Sequence, residues 1–228
     1  MDKIKNILEN FKNNIPQALV RLNDGECQGI LEPGCTIARG DQNVSKDLSK
    51  LLLEALQHEQ ENYWVGLPCS KCNTGPWYEK IKKYVNLDYK YLTKAVVNTN
   101  RNLDLVVSTL PTVIDKNTNI IWVSGSDQNI VNLRNIGLNI TDQIIVPTKD
   151  AWSIVDKIKS DIIYRLDSNK LTVVFLSIGP TSRVLAYQLF KDYPQHTFID
   201  IGSTFDPQTR NVWYSCHLKT LNPCSGCN

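Results

Sequence analysis

The second half of the chain alternates apolar strand-like segments with helical segments, and this alternation limits the fold more than any other sequence feature. The segment Leu171–Ile178 is almost continuously apolar, which is typical of a strand buried on both faces. Consecutive strand–helix units build a parallel sheet, because each helix carries the chain back over one face. We therefore predict an α/β fold, a three-layer Rossmann-like sandwich with a mostly parallel sheet. The strands of this half are predicted at 119–123, 143–146, 171–178 and 197–201, with helices in the intervening segments.

The first half follows the same pattern less regularly. Apolar residues at helical spacing predict helices near 2–13 and 45–58, and Pro16 ends the first of them. Residues 27–43 contain Pro-Gly and Arg-Gly-Asp and are predicted to be loop. The remaining predictions are strands at 18–20, 62–67 and 95–97, and helical segments at 77–84, 89–93 and 98–110.

Length and composition indicate a globular protein of one large domain or two small ones. The chain has 228 residues with 42% hydrophobic and 21% charged residues, so it can bury a sizeable core. We expect a catalytic domain over 1–205 and an irregular, Cys-containing tail over 206–228 that packs on it. A net charge of +2 offers no electrostatic reason to expect nucleic acid as a partner. The chain has neither a signal-peptide core nor an apolar run of transmembrane length, so we expect a cytoplasmic protein without a membrane span.

Four polar turns follow predicted strands. Ligands of open parallel sheets bind beyond the carboxyl ends of the strands. We therefore expect the four turns to line one edge of the sheet. They are Asn23–Glu26, Ser124–Asp127, Gly179–Ser182 and Asp200–Ser203.

The first of these turns carries two carboxylates. If the backbone is extended there, Asp24 and Glu26 point to the same side, because side chains two positions apart share a face. Gly25 between them lets the backbone approach a ligand closely. Two hard oxygen ligands suit Mg²⁺ or Mn²⁺. The alternative is a plain hairpin turn, since Asn-Asp-Gly is a common turn sequence.

The Gly179–Ser182 turn opens a predicted helix. Backbone N–H groups at a helix N-terminus bind phosphate, so this turn is a candidate anion site. The alternative is an ordinary connection in which Thr181 or Ser182 caps the helix. The chain lacks a P-loop and a well-placed G-x-G-x-x-G, which argues against P-loop and dinucleotide enzymes. A Rossmann-like methyltransferase is also disfavoured, because no glycine-rich loop follows the first strand.

Three motifs occur together in a known order. Arg21–Glu26 is similar to an Arg-x-Gly-Asp-Gly-Glu motif, and Ile178–Leu189 is similar to Gly-Pro-Thr-Ala followed by Val-Leu-Ala-Tyr-Asp-Leu. Phe198–Gly202 is similar to a strand that ends in Asp-Ile-Gly. Through these motifs, most of residues 17–205 resembles the GT-D-type glycosyltransferases.

The resemblance implies a metal-dependent hexosyltransferase. Such an enzyme takes a hexose from a nucleotide sugar, here a UDP sugar, and transfers it to a hydroxyl of a glycan or glycoprotein acceptor. Asp24 and Glu26 would hold Mn²⁺ or Mg²⁺ and, through it, the diphosphate. A structural ion pair is an equally good role for Arg21. The residues expected to bind the nucleotide sugar are Arg21, Gly25, Gly179, Pro180, Thr181 and Ser182.

The chain departs from the family at a potentially catalytic position. Ser203 stands where the family usually has His after Asp-Ile-Gly. If that histidine is a base, another residue must accept the proton of the acceptor hydroxyl here, and the candidates are Asp200 and Asp206. Two alternatives stay open, and the missing histidine suggests the first of them. One is a non-catalytic module of the same fold that binds nucleotide sugars, and the other is an interaction protein whose acidic turn is only a turn.

The seven cysteines include two C-x-x-C pairs, Cys69/Cys72 and Cys224/Cys227. Four thiolates from two loops can form a tetrahedral structural Zn²⁺ site. Reduced thiols or a disulfide are the alternatives. A redox-active pair is disfavoured because neither pair lies between a strand and a helix start.

Overall fold

The computed structural model of the protein describes residues 3–37, 42–71, 74–98 and 102–210. Within these ranges the strands are β1 Ala18–Arg21, β2 Thr36–Ile37, β3 Gln42–Asn43, β4 Tyr63–Leu67, β5 Leu92–Lys94, β6 Asn119–Gly125, β7 Asp142–Val146, β8 Thr172–Ser177 and β9 Thr197–Asp200. Seven of these described strands form one sheet in the order β5-β4-β1-β9-β8-β6-β7. All neighbours in this sheet pair in parallel, whereas β2 and β3 form a separate antiparallel pair.

Helices cover both faces of the sheet. In the described ranges they are α1 Ile4–Lys12, α2 Asp24–Leu31, α3 Lys46–Gln57, α4 Gly75–Ile81, α5 Leu103–Val113, α6 Val131–Asn135, α7 Val155–Arg165, α8 Thr181–Asp192 and α9 Asp206–Thr209. Helix α8 packs on β1 and β9 and contacts α3 and α7, so these helices share one face. Helices α1 and α5 pack together and belong to the apolar cluster of the other face. The predicted three-layer α/β fold is confirmed.

The apolar strands are explained by burial on both faces. On β1, Ala18 and Val20 belong to one apolar cluster, whereas Leu19 between them belongs to the other. On β8, Val174 and Phe175 likewise belong to opposite clusters. Successive side chains of a strand point to opposite faces, so a strand between two helical layers must be apolar at nearly every position.

Three predictions of local structure are wrong. Residues 27–43 are not all loop, because α2 extends to Leu31. The sequence did not predict this short helix because it contains two glycines, Gly25 and Gly29. Each glycine makes a helix less favourable by about 1 kcal/mol relative to alanine. Residues 89–93 are not helical and 95–97 are not a strand, because β5 lies at Leu92–Lys94 and a turn follows. The strands predicted in the second half agree with the structure to within about two residues at each end.

The expected boundary between domain and tail stays a prediction, because the structure describes the tail only to residue 210. The described part of the tail contains α9, which packs against α6. Within the described ranges, no helix has both the length and the apolar character needed to cross a membrane.

His196 links β8 to the segment before β9. Its ring is 2% exposed, and its Nδ1 accepts a hydrogen bond of 3.1 Å from the Thr172 N–H. An accepting Nδ1 carries no proton, and burial lowers the pKa of His196, an effect that Asp167 partly opposes. The neutral ring is therefore the form that the folded state prefers.

We expect this histidine to make stability depend on pH. Because its folded pKa lies below its unfolded value, its contribution is complete above about pH 6.5 and is lost as the pH falls through the folded pKa. His196→Phe should leave the Thr172 N–H unsatisfied and lower the free energy of unfolding by about 1–3 kcal/mol at pH 7.5. Urea unfolding at pH 7.5 and pH 5 measures both effects. An equal loss at the two pH values would contradict the role of protonation.

Candidate active site

Four polar turns meet at one edge of the sheet. Strands β1, β9, β8 and β6 are consecutive in the sheet order and parallel, so the turns that follow them lie side by side. A salt bridge joins the acidic turn to the start of α8, with 3.3 Å between Glu26 Oε1 and Arg183 Nη2. The acidic turn and the Gly179–Ser182 turn therefore lie next to each other at one edge of the sheet, as predicted.

The acidic turn is helical rather than extended. Asn23 precedes α2, and its N–H donates a hydrogen bond of 3.0 Å to Glu26 Oε2, as in a capping box. Asp24 and Glu26 therefore do not share one side of an extended backbone as predicted, because side chains two positions apart on a helix diverge by about 200°. Asp24 is exposed and Glu26 is 6% exposed. Their assignment as metal ligands stays a prediction.

Arg21 ends β1 and is 3% exposed. Its Nε donates to the Asp200 carbonyl at 3.0 Å, and its Nη2 donates to Asp200 Oδ1 at 3.2 Å. Its Nη1 donates to the Ala95 carbonyl at 3.3 Å. Burial lowers the pKa of Arg21 while Asp200 opposes the change, and the guanidinium stays charged because its ordinary pKa is so high. These contacts favour the structural ion pair over direct phosphate binding.

Arg183 is buried, although its position in the first turn of a helix favours a solvated side chain. An arginine in the first turn of a helix is commonly solvated, but this one is 5% exposed. Its Nε donates to the Arg21 carbonyl at 2.9 Å and lies 3.0 Å from Asp200 Oδ2. Its Nη1 donates to the Gly179 carbonyl. Its bonded partner on β1 is 162 positions away in the chain, so no local pattern could reveal the contact.

Asp200 is fully buried between the two arginines. Both of its carboxylate oxygens accept from Arg21. Gly202, two residues later, has φ of 50°, and a Cβ there would overlap Arg21 Nη2, so only glycine lets the arginine reach Asp200. This geometry favours a positioning role for Asp200 over proton transfer.

Asp206 lies in the first turn of α9 and is 4% exposed. Its Oδ2 accepts from Arg210 Nη1 at 3.1 Å, whereas its Oδ1 is buried without a hydrogen-bond partner. Burial raises the pKa of Asp206 to about 6; Arg210 opposes this shift and Asp127 adds to it. A carboxyl group that titrates close to neutral pH is suited to general acid–base chemistry.

The Gly-Pro-Thr-Ser turn is tighter than expected. The Ser182 N–H donates to the Gly179 carbonyl at 3.0 Å, and Ser182 Oγ accepts from the Ile178 N–H at 3.0 Å. The expectation of free N–H groups is therefore wrong for Ser182. The Thr181 and Ser182 side chains are 2% and 0% exposed, and Pro180 is also buried. Gly179, with φ of 61°, is partly exposed and contributes to a pocket.

This pocket has a volume of about 70 Å³ and opens between the carboxyl ends of β6 and β8. Its lining carries hydroxyl and amide groups, which suit a sugar-like ligand. It also contains Arg210 and Asp127, which form a salt bridge with 3.0 Å between Arg210 Nε and Asp127 Oδ2. Residues that line it include Gln42, Gly125, Thr148, Ser177, Gly179 and Arg210.

A larger groove of about 630 Å³ lies on the other side of the loop after β6. Its lining includes Gln128, Asn129, Arg134 and Gln143. A hydrogen bond joins the linings of the two cavities, since Gln128 Nε2 in the groove donates at 2.8 Å to the Ser177 hydroxyl of the smaller pocket.

The structure describes three of the seven cysteines, Cys27, Cys35 and Cys69. Cys27 is buried beside the acidic turn, and burial raises the pKa of its thiol, with further contributions from Glu26 and Asp24, so it stays protonated. Of the proposed zinc ligands, Cys69 lies in the loop after β4, whereas Cys72, Cys224 and Cys227 lie outside the described residues. The zinc site stays a prediction. Among the residues that the structure describes, no group of three or more His, Cys, Asp or Glu side chains is placed to hold a metal ion.

Comparison with known proteins supports the fold. Residues 112–215 match the family model described as "Glycosyltransferase GT-D fold". A solved structure described as "A New Glycosyltransferase (DUF1792) from Streptococcus sanguinis" aligns with a TM-score of 0.70 and 20% identity over 88% of this chain and 80% of that one. Another, described as "The highly conserved domain of unknown function 1792 has a distinct glycosyltransferase fold", aligns with a TM-score of 0.64 and 20% identity over 88% of this chain and 77% of that one. No curated protein matches the chain.

Proposed function

We propose that this chain, whose residues 112–215 match the GT-D fold family model and whose fold is similar to that of a solved glycosyltransferase, is a glycosyltransferase. In this proposal it transfers a hexosyl group from a UDP sugar to a hydroxyl of a glycan or glycoprotein acceptor. The observation that carries this proposal is the convergence of the acidic turn and the Gly179–Ser182 turn at one sheet edge, joined by the contact between Glu26 and Arg183. Ligands of open parallel sheets bind at such an edge.

The carboxylate oxygens of the acidic turn are ligands of the chemical type that a divalent cation such as Mg²⁺ or Mn²⁺ prefers. Asp24 presents an exposed carboxylate, and each Glu26 oxygen makes one contact and so keeps a free lone pair. Two carboxylates without a third acidic ligand suit Mg²⁺ or Mn²⁺, which complete their shells with water and phosphate oxygens. When bound, such an ion neutralises the charge on a diphosphate leaving group.

The two cavities provide places for donor and acceptor. In this proposal the smaller pocket takes part of the nucleotide sugar, because Arg210 and the Ser177 and Thr148 hydroxyls line it. The larger groove, which is lined by amide side chains such as Asn129, takes the acceptor. Residues of the loop after β6 contribute to the lining of both cavities.

In this proposal Asp206 accepts the proton of the acceptor hydroxyl. It replaces the histidine that the family usually has near this position, and its buried Oδ1 has lone pairs free for a proton. Because a base must be ionised and the pKa of Asp206 is about 6, we expect the transfer rate to fall as the pH drops through about 6. Asp206→Asn should lower the rate about 10²-fold or more and remove this acidic limb.

A pH–rate profile of both proteins checks the prediction. Asp167→Asn, an acidic residue in the loop before β8, is the control and should keep the acidic limb. If the rate of Asp206→Asn still falls at acidic pH as in the wild type, a residue other than Asp206 is the catalytic base.

The overall proposal is tested by measuring turnover of a panel of nucleotide sugars with Mn²⁺, with Mg²⁺ and with EDTA. We expect turnover of a UDP sugar only when a divalent cation is present. Tight binding of UDP and Mn²⁺ without any turnover would support the non-catalytic binding module instead. A melting temperature that Mn²⁺ and UDP leave unchanged would support the interaction protein, because a ligand that binds the native state raises it.

A further inference from the structure

One guanidinium holds together the four elements that meet at the candidate active site. Arg183 contacts the end of β1 through the Arg21 carbonyl, the end of β9 through Asp200, and the β8–α8 turn through the Gly179 carbonyl. Its Nη2 contacts Glu26 at the start of α2. With its Nε, Nη1 and Nη2 all engaged and only 5% of the residue exposed, Arg183 has little capacity to bind phosphate itself. Its effect on a ligand must act through its partners.

The buried part of the site carries no net charge. Arg21 and Arg183 supply two positive charges, and Asp200 and Glu26 supply two negative ones. All four residues are at most 6% exposed, so water screens their interactions weakly. Asp24, which is exposed, adds a single negative charge to this neutral group. A neutral cluster with one surface carboxylate attracts a divalent cation far less than the multiple acidic ligands of a dedicated cation site do.

Glu26 is also already engaged. Its Oε1 lies 3.3 Å from Arg183 Nη2, and its Oε2 accepts from the Asn23 N–H at 3.0 Å. A cation that binds Glu26 must therefore share the carboxylate with a fixed positive charge. Nucleotide diphosphate would offset this repulsion, because its oxygens bring negative charge and further ligands to the ion.

We propose that Arg183 is a positioning residue that competes with the cation for Glu26, so that the site accepts the cation together with a nucleotide diphosphate and binds the free cation weakly. The inference rests on the proposed function, since it assumes that Glu26 is a cation ligand. The inference extends that function, because an arginine and not a carboxylate would determine whether the cation binds alone or together with the nucleotide diphosphate. Arg183 lies within the Ile178–Leu189 segment that resembles the family, between its Gly-Pro-Thr and Val-Leu-Ala-Tyr parts.

Calorimetric titration with Mn²⁺ alone, and with Mn²⁺ in the presence of UDP, tests the competition without measuring activity. In the wild type we expect UDP to tighten Mn²⁺ binding by about tenfold or more. Arg183→Gln removes the competing charge and should tighten binding of Mn²⁺ alone by about tenfold, so that UDP adds little. A merely structural role predicts the opposite sign, because a disordered site binds Mn²⁺ more weakly.

Two further variants keep the test decisive. Arg183→Lys keeps the positive charge, so its affinity for Mn²⁺ alone should lie within about threefold of the wild type. A larger loss of affinity for Mn²⁺ would contradict the proposal. This result can be obtained even if Arg183→Gln fails to fold. Arg165→Gln, which removes an arginine paired with Asp142 on the outer strand, is the control and should change neither titration.

The outcomes also separate this inference from the function on which it rests. A wild-type protein that binds no Mn²⁺ with UDP present would overturn the proposed function together with the inference. Normal binding of Mn²⁺ with UDP, combined with unchanged or weaker binding of Mn²⁺ alone in Arg183→Gln, would overturn the inference only.

Discussion

Replacing Asp200 by asparagine is expected to lower the free energy of unfolding by about 3–5 kcal/mol. The carboxylate of Asp200 is fully buried and lies 3.2 Å from Arg21 Nε and 3.0 Å from Arg183 Nε. Removing its charge leaves two buried guanidinium groups beside each other with Glu26 as the remaining partner of opposite sign. An unpaired charge inside a protein is costly because water cannot solvate it.

Urea or guanidinium unfolding of the purified variant measures this loss. Asp142→Asn is a matched control, because Asp142 also pairs with an arginine, Arg165, but both side chains are partly exposed, at 43% and 31%. A pair of this kind contributes only about 0–1 kcal/mol. Equal losses in the two variants would mean that burial does not strengthen the Asp200 cluster.

Asp24→Asn is expected to lower the rate of sugar transfer by about a hundredfold or more, with almost no change in stability. Asp24 is exposed and α2 keeps its other capping contacts, so the free energy of unfolding should change by no more than about 0.5 kcal/mol. The rate should fall because the cation that Asp24 would help to hold contributes several kcal/mol of charge stabilisation in the transition state. Donor turnover at saturating Mn²⁺ measures the effect.

The control for Asp24 is an acidic residue in a similar position on another helix. Asp47 lies in the first turn of α3 and is exposed, so Asp47→Asn removes the same interaction with a helix N-terminus. It should leave transfer unchanged. Wild-type rates in Asp24→Asn would end the assignment of the metal site. Glu26→Gln is a less clean test, because it also breaks the contact with Arg183.

The fold could be predicted because its signals are local. The continuous apolar run of β8 indicates that this strand is buried between two layers of helices. The regular spacing of apolar residues in α3 indicates that one face of this helix is buried. Alternation of these signals along the chain is enough to indicate a parallel α/β sheet. The same logic placed the polar turns at the carboxyl edge, since every crossover connection returns the next strand in the same direction.

The elements that the sequence analysis missed have weak local signals. Helix α2 is short and contains Gly25 and Gly29; Gly29 packs so tightly that a Cβ there would lie 2.8 Å from the Val44 side chain. Gly29 is needed because Val44, a residue remote in sequence, packs against it. By helix propensity alone, glycine is expected in a turn rather than in a helix. The conformation of the acidic turn was misjudged for the same reason.

The sequence by itself determined the class of fold, the order of its elements and the sheet edge where a ligand would bind, because these follow from apolar periodicity and from the direction of parallel strands. The tertiary structure alone decided how the charges at that edge are shared. Arg183 bonds to a strand 162 positions away, and Asp200 lies between two arginines from different elements. Such contacts depend on distances between segments remote in the chain, and a pattern of neighbouring residues contains no information about those distances.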